Sequence, residues 1–138
     1  MFGRMSRRDQ RHCLNVYLAL REQGDDDPHL LTAALLHDVG KAVRPIPLLY
    51  RVAVTLLQAF SPPALAHLAA CGRHQLLQPF RIAQEHAEIG AQMLRDAGLP
   101  PPVVELVRYH HGWPEAQQGP ARPLAELVSV LRKADGAN

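Results

Sequence analysis

Apolar residues recur at helical spacing along the whole sequence, and no stretch shows the alternation of apolar and polar residues that marks a β-strand. Proline and glycine interrupt this pattern, with 12 and nine copies respectively in 138 residues. A chain of this length is typical of one domain. The sequence therefore predicts an all-α fold, in which residues 1–138 form a single-domain bundle of six to seven helices.

The first predicted helix has a recognisable residue at each end. Ser6 followed by Asp9 predicts an N-cap with an acidic residue in the first turn. Gly24, followed by three aspartates, predicts the end of the helix. Between them, side chains at three- and four-residue steps mark one face: Leu14, Tyr17, Leu18 and Arg21.

The second predicted helix follows directly. Asp27 is predicted to cap the start of this helix, and Pro28 is predicted to be its first helical residue. Gly40 is predicted to lie just beyond the last turn of this helix, at the position where a glycine with a left-handed backbone commonly ends a helix. The remaining helices are predicted over about 48–60, 62–72, 80–97, 100–111 and 124–134.

Composition excludes several classes of protein. Fifteen basic and 13 acidic residues leave a net charge of +2, which is too small to indicate nucleic-acid binding. Cys13 and Cys71 form no CxxC pair, which argues against a disulfide framework and a zinc ribbon and favours a reducing, cytoplasmic compartment. The charge-free stretch 52–72 contains two prolines and several polar residues, so we expect no membrane span.

Four arginines lie close together near the N-terminus. They are Arg4, Arg7, Arg8 and Arg11. Such a group is commonly a solvated helix face. It forms a phosphate-attracting rim instead if an active site lies beside it, and the sequence leaves both interpretations open.

A histidine and an aspartate are adjacent at the end of an apolar helix, in the segment LLHDVGK. Adjacent helical residues point about 100° apart, so His37 and Asp38 converge only on something that lies between them, such as a metal ion. Imidazole with carboxylate suits Fe, Mn, Co, Ni or Zn, and Mg remains an alternative. The competing interpretation is a locally hydrogen-bonded His37 and an Asp38 that caps a turn.

Two further residues extend this candidate site. The connection between the first two helices is short, so they are predicted to pack antiparallel, which brings His12 towards His37 and Asp38. Asp135 follows the apolar stripe of the last helix, where an unpaired carboxylate is unfavourable with the helix dipole. A metal ion compensates that charge, and an exposed, frayed Asp135 is the alternative.

His12, the adjacent pair His37 and Asp38, and Asp135 together resemble the H…HD…D pattern of the HD superfamily of metal-dependent phosphohydrolases. The segments AALLHDVGK and LRKADGAN are also similar to sequences of that family. The resemblance covers essentially the whole chain. It implies an HD-domain-like fold and a first metal ion bound by these four residues.

Three more histidines resemble those of binuclear family members, namely the HD-GYP cyclic-dinucleotide phosphodiesterases and the symmetrical bis-nucleoside tetraphosphatases. The segments are EHAEIGAQML, which contains His86, and VRYHHGWP, which contains His110 and His111. The resemblance implies that His86 and either His110 or His111 bind a second ion, with Asp38 bridging the two. The aliphatic segment 43–79 matches no catalytic motif.

The expected activity is hydrolysis of a phosphate monoester or diester, with a nucleotide as the substrate class and metal-activated water as the nucleophile. Asp38 and Lys41 are the predicted catalytic residues, and one or two divalent metal ions are the predicted cofactors. Lys41 can contact a phosphate, or it can simply compensate the helix dipole. The rival interpretation is a non-catalytic sensor or interaction module in which the metal is a structural staple and residues 48–68 bind a partner.

Overall fold

The computed structural model describes residues 1–43, 46–71, 76–112 and 122–137, and these form a helical bundle without strands. The seven α-helices of this part are α1 (Arg7–Glu22), α2 (Pro28–Leu36), α3 (Leu48–Phe60), α4 (Pro62–Ala70), α5 (Gln78–Asp96), α6 (Pro101–Arg108) and α7 (Arg122–Gly136). Short 3-10 helices cover Phe2–Arg4 and Val39–Val43. The predicted all-α bundle of six to seven helices is confirmed. In the described ranges, no helix has the length and apolar character needed to cross a membrane.

The local signals at both ends of α1 and at the start of α2 act as predicted. The Ser6 hydroxyl accepts a hydrogen bond from the Asp9 backbone amide at 3.2 Å. The Asp27 carboxylate accepts two from backbone amides of the first turn of α2, at 2.8 and 2.9 Å, and Pro28 is the first helical residue. Gly24 has a φ of 86°, a left-handed backbone that few other residues adopt at low cost. Caps and turns are short-range features, so the sequence reveals them.

The buried face of α1 differs from the face marked by Leu14 and Leu18. These two leucines are 44% and 47% exposed. The side chains in the core are Cys13, Val16 and Leu20, all at 0% exposure. Each helical residue is turned about 100° from the next, so a stripe displaced by one position faces another direction.

Gly40 has a role different from the predicted one. α2 ends at Leu36, and Gly40 lies inside the 3-10 helix Val39–Val43 rather than in a left-handed cap. A Cβ atom on Gly40 would overlap the backbone carbonyl of His86 and lie 2.8 Å from the amide nitrogen of Gly90. The glycine is therefore required for close backbone contact between the 3-10 helix and α5. That contact fixes Asp38 beside His86.

One hydrophobic core lies between five of the helices, α1, α2, α5, α6 and α7. Its fully buried members include Leu20, Leu30, Leu94, Leu106 and Leu131. The hairpin of α3 and α4 packs beside this core, mainly through contacts of α4 with α5. α4 buries Leu65 and Ala69, whereas α3 has no fully buried residue. The hairpin therefore forms a wall beside the core.

Candidate metal site

Three histidines from different helices share one hydrogen-bonding arrangement. His37 caps the end of α2, His86 lies in the middle of α5, and His110 follows α6. In each, the ring Nδ1 faces the backbone carbonyl three residues earlier, so that nitrogen carries the proton and donates it. The Nδ1–O distances are 2.9 Å to Ala34, 2.8 Å to Ala83 and 2.7 Å to Val107. In the neutral form of each ring the lone pair therefore lies on Nε2, as it does in a metal-binding imidazole.

The Nε2 atoms of His37 and His110 are buried and have no hydrogen-bond partner within the described ranges. Their residues are 1% and 0% exposed. A buried acceptor without a partner costs about 1–3 kcal/mol. The two rings lie with centroids 5.1 Å apart, so both unpartnered atoms belong to one site. Metal ions held at these two rings would satisfy both atoms.

The first group of possible ligands joins the two ends of the chain. His12 Nε2 lies 2.8 Å from Asp135 Oδ1, and His37 Nε2 lies 3.3 Å from the same oxygen without forming a hydrogen bond. One ligand atom from each of these residues lies within 4.8 Å of the others. His12 meets His37 because α1 and α2 pack against each other. Asp135 lies inside the last turn of α7 rather than beyond it, so the exposed, frayed alternative is wrong.

Asp38 lies between the first group and a second one. Its Oδ1 is 3.9 Å from His37 Nε2 and 3.5 Å from His86 Nε2, and the residue is 2% exposed. The second group consists of His86, His110 and His111, with ligand atoms within 4.8 Å of one another. His86 Nε2 and His111 Nε2 are 3.0 Å apart. Both histidines of the HH pair therefore approach His86, although only His110 is buried.

Lys41 forms a salt bridge with Asp38. Its Nζ is 2.7 Å from each carboxylate oxygen of Asp38. Burial raises the pKa of Asp38, but the charges of Lys41 and His37 outweigh it and hold that pKa well below its usual range. Burial also raises the pKa of Asp135, and close contact with His12 and His37 more than reverses this. Both carboxylates are ionised and attract positive charge to the site.

The buried histidines respond to this charge differently. Burial lowers the pKa of His37, but its contacts with Asp135 and Cys13 and the charge of Asp38 raise that pKa to about 10. Burial and Lys41 lower the pKa of His86 to about 4, and burial with neighbouring histidines lowers that of His110. His86 and His110 are therefore neutral, as metal ligands must be. At His37, a proton and a metal ion are alternative ways to supply the positive charge that the carboxylates attract.

Cys13 is a neighbour of the site that the sequence did not indicate. Its Sγ lies 3.8 Å from Nδ1 of His37, on the protonated side of the ring. Cys13, His37 and Asp38 also form a group with ligand atoms within 4.8 Å of one another. A single cysteine without a CxxC partner gives no sequence signal. It packs behind the His37 ring, where it helps to fix the orientation of the ring.

Two clefts meet at the site. The larger, of about 940 Å³, lies between α3, α4 and α5 and includes Lys41, His86, His111 and Asp135. The smaller, of about 380 Å³, lies along α1 and includes His12, Asp38 and Lys41. Arg8 and Arg11 also line it. Two of the N-terminal arginines therefore form a cationic rim beside the site.

Arg51 lines both clefts and is held by a buried acid. Its guanidinium donates to both carboxylate oxygens of Asp9, at 3.0 and 3.2 Å, and its Nε donates to the carbonyl of Ile46. Burial raises the pKa of Asp9, but the hydrogen bonds from Arg51 and Ser6 leave it below its usual value. The pair joins α3 to the start of α1. The partners are 42 residues apart, so no local pattern indicates the pair.

Searches of curated proteins and of solved structures found no match. A sequence profile does match, over residues 10–136, and it is the profile of the HD domain. The match includes every histidine and aspartate of the two ligand groups. It covers nearly the whole chain, and the all-α fold agrees with it. This chain therefore belongs to the HD domain family.

Proposed function

We propose that this protein is a metal-dependent phosphohydrolase that cleaves a phosphate monoester or diester, with a nucleotide as its substrate. One observation carries the proposal: the Nε2 lone pairs of His37 and His110 are oriented by backbone carbonyls and buried without a partner in the described residues. They lie next to ionised carboxylates and beside an open cleft. A site that opens onto a cleft favours catalysis, whereas a structural staple needs no access.

The ligand sets follow from the two groups. His12, His37, Asp38 and Asp135 would hold a first ion, and His86 with His110 or His111 would hold a second. Asp38 lies between them and would bridge the pair. When bound, such ions activate water for attack on phosphorus and offset the charge of the phosphate oxygens.

The protein's own side chains orient the substrate. Lys41 fixes the Asp38 carboxylate through two contacts, and it also lies at the meeting point of both clefts, within reach of a bound phosphate. Arg132 adds positive charge to the larger cleft, which attracts an anionic ester, and Arg51 also lines this cleft. Asp9 holds Arg51 in place, so that guanidinium is preorganised.

The first test is a screen of nucleotides and generic phosphate esters with the purified protein. We expect turnover at neutral to mildly alkaline pH, abolished by a chelator and restored by Mn or a similar ion. Turnover should also be lost at low pH, because protonated histidines do not bind metal. Absence of turnover with every added metal would support the sensor interpretation instead.

The number of ions is tested by His86→Ala. We expect metal content to fall by about one ion per chain and turnover to fall on the order of 10-fold or more, as loss of a metal ligand should cause. The first ion should remain, because its ligands lie on other elements. Elemental mass spectrometry of the purified variant gives the stoichiometry.

His67→Ala is the matched control, because His67 is an exposed histidine on α4. If His86 only serves the fold through its bond to Ala83, its removal should lower the melting temperature and leave the metal stoichiometry unchanged. That outcome would contradict the binuclear site.

A further inference from the structure

The larger cleft has two ends of different chemistry. The end at the candidate metal site carries Lys41, Arg132 and Asp135. The far end is formed by the α3–α4 hairpin and the first half of α5, and its walls combine apolar residues with the polar side chains of Thr55, Gln58, Gln84 and Glu85. The apolar residues are Ile46, Val54, Pro62, Leu65 and Ala83. Most of these apolar residues belong to the aliphatic segment 43–79, which matches no catalytic motif.

We propose that the far end of the cleft binds the organic group of the phosphate ester, and that this group is an uncharged heteroaromatic ring such as a nucleobase. The inference rests on the proposed function, because a phosphate at the metal site directs the rest of the ester into the same cleft. A volume of about 940 Å³ accommodates both parts. Sites that are largely apolar with a few polar groups are typical of small-molecule binding.

Charge at the far end excludes a second anionic group there. Glu85 is the acidic residue near this end, and it is paired with Arg81 at 2.8 Å. Arg51, the cation between the two ends, already binds both oxygens of Asp9. A charged group placed against Val54 and Leu65 would lose water without gaining a counter-ion. An uncharged group is therefore favoured.

Polar side chains at the edge of the apolar wall indicate a ring with hydrogen-bonding edges. The amides of Gln58 and Gln84 line the cleft and make no side-chain hydrogen bond within the described part of the chain. A purely aliphatic occupant would cover these amides without satisfying them, which is unfavourable. A nucleobase offers a flat apolar face to Val54 and Leu65, and donors and acceptors to the two amides.

The test uses two phosphonates that cannot be hydrolysed and differ only in the base. One is an adenine phosphonate in which an ethoxymethyl chain joins adenine to phosphorus, and the other is ethoxymethylphosphonate itself. Calorimetry with the metal-loaded protein measures each affinity without turnover. We expect the adenine compound to bind at least about tenfold more tightly, equivalent to about 1.4 kcal/mol.

Val54→Asp should remove the advantage of the adenine compound and leave the affinity for ethoxymethylphosphonate unchanged. Leu56→Asp is the matched control, because Leu56 is on the same helix, is 52% exposed and is not part of the cleft wall. Gln84→Ala, a change at an exposed position, should reduce the advantage in part and does not depend on the folding of Val54→Asp.

Equal affinities of the two phosphonates for the unmodified protein would overturn the inference, and metal-dependent hydrolysis of a phosphate ester would still stand. An advantage that persists in both Val54→Asp and Gln84→Ala would also overturn it. Failure of both phosphonates to bind would contradict the proposed function, and the inference with it.

Discussion

Replacing Asp38 with alanine is expected to remove most of the bound metal and to reduce phosphate-ester hydrolysis by on the order of 100-fold or more. Loss of outer-shell partners alone typically costs 10–100-fold in metal affinity or activity. Asp38 is buried and lies within 4 Å of both His37 and His86, so its removal affects both candidate ions. Elemental mass spectrometry measures the loss directly.

Asp96→Ala is the control for this change, because Asp96 is an exposed aspartate at the end of α5 that accepts a hydrogen bond from Gln92. Circular dichroism should show that both variants remain helical. Unchanged metal content in a folded Asp38→Ala protein would contradict the ligand sets, since Asp38 belongs to the centre of both.

Gly40→Ala is expected to have the largest effect on stability of any glycine substitution at the site. The new methyl group would overlap the His86 carbonyl and lie 2.8 Å from the Gly90 amide nitrogen. Both neighbours are backbone atoms of α5, so neither moves away without displacing the helix. Overpacking costs about 1–3 kcal/mol and occasionally more, and we expect at least the upper part of this range. Chemical denaturation measures the change in the free energy of unfolding.

The same substitution should also lower metal content, because the strain separates the segment that carries Asp38 from the helix that carries His86. Gly3→Ala is the control, since a Cβ at Gly3 has no neighbour within 4 Å. Gly90→Ala should be milder, because its nearest contact is 3.2 Å to the Gly40 nitrogen. Equal stability of Gly40→Ala and Gly3→Ala would show that the backbone contact between the two segments is not tight.

Both ends of α1 and the start of α2 were predictable from the sequence because the interactions that fix them are local. Ser6 and Asp27 each accept hydrogen bonds from amides two or three residues ahead, and Gly24 follows α1 with a φ of 86°. The pairing of His12 with His37 was also accessible, because a short connection fixes the direction of two neighbouring helices.

Other features depend on contacts between distant parts of the chain. The buried pair of Asp9 and Arg51 joins residues 42 positions apart. Gly40 was misread because its role depends on the backbone of α5, which no pattern near Gly40 reveals. The exposure of Leu14 similarly depends on which face of α1 the other helices cover. Residue types and spacing indicated which groups could meet, and only packing shows how closely they do.

Hydrogen bonds to main-chain carbonyls orient the rings of His37, His86 and His110, and this has a consequence for how such a protein can evolve. A carbonyl is present whatever the residue type, so substitutions at Ala34, Ala83 or Val107 leave each acceptor in place. The orientation of the imidazole rings therefore does not depend on the identity of these neighbouring side chains. Mutations in the cleft walls can accumulate and change which substrate the protein binds, while the imidazoles keep their orientation towards the candidate metal site.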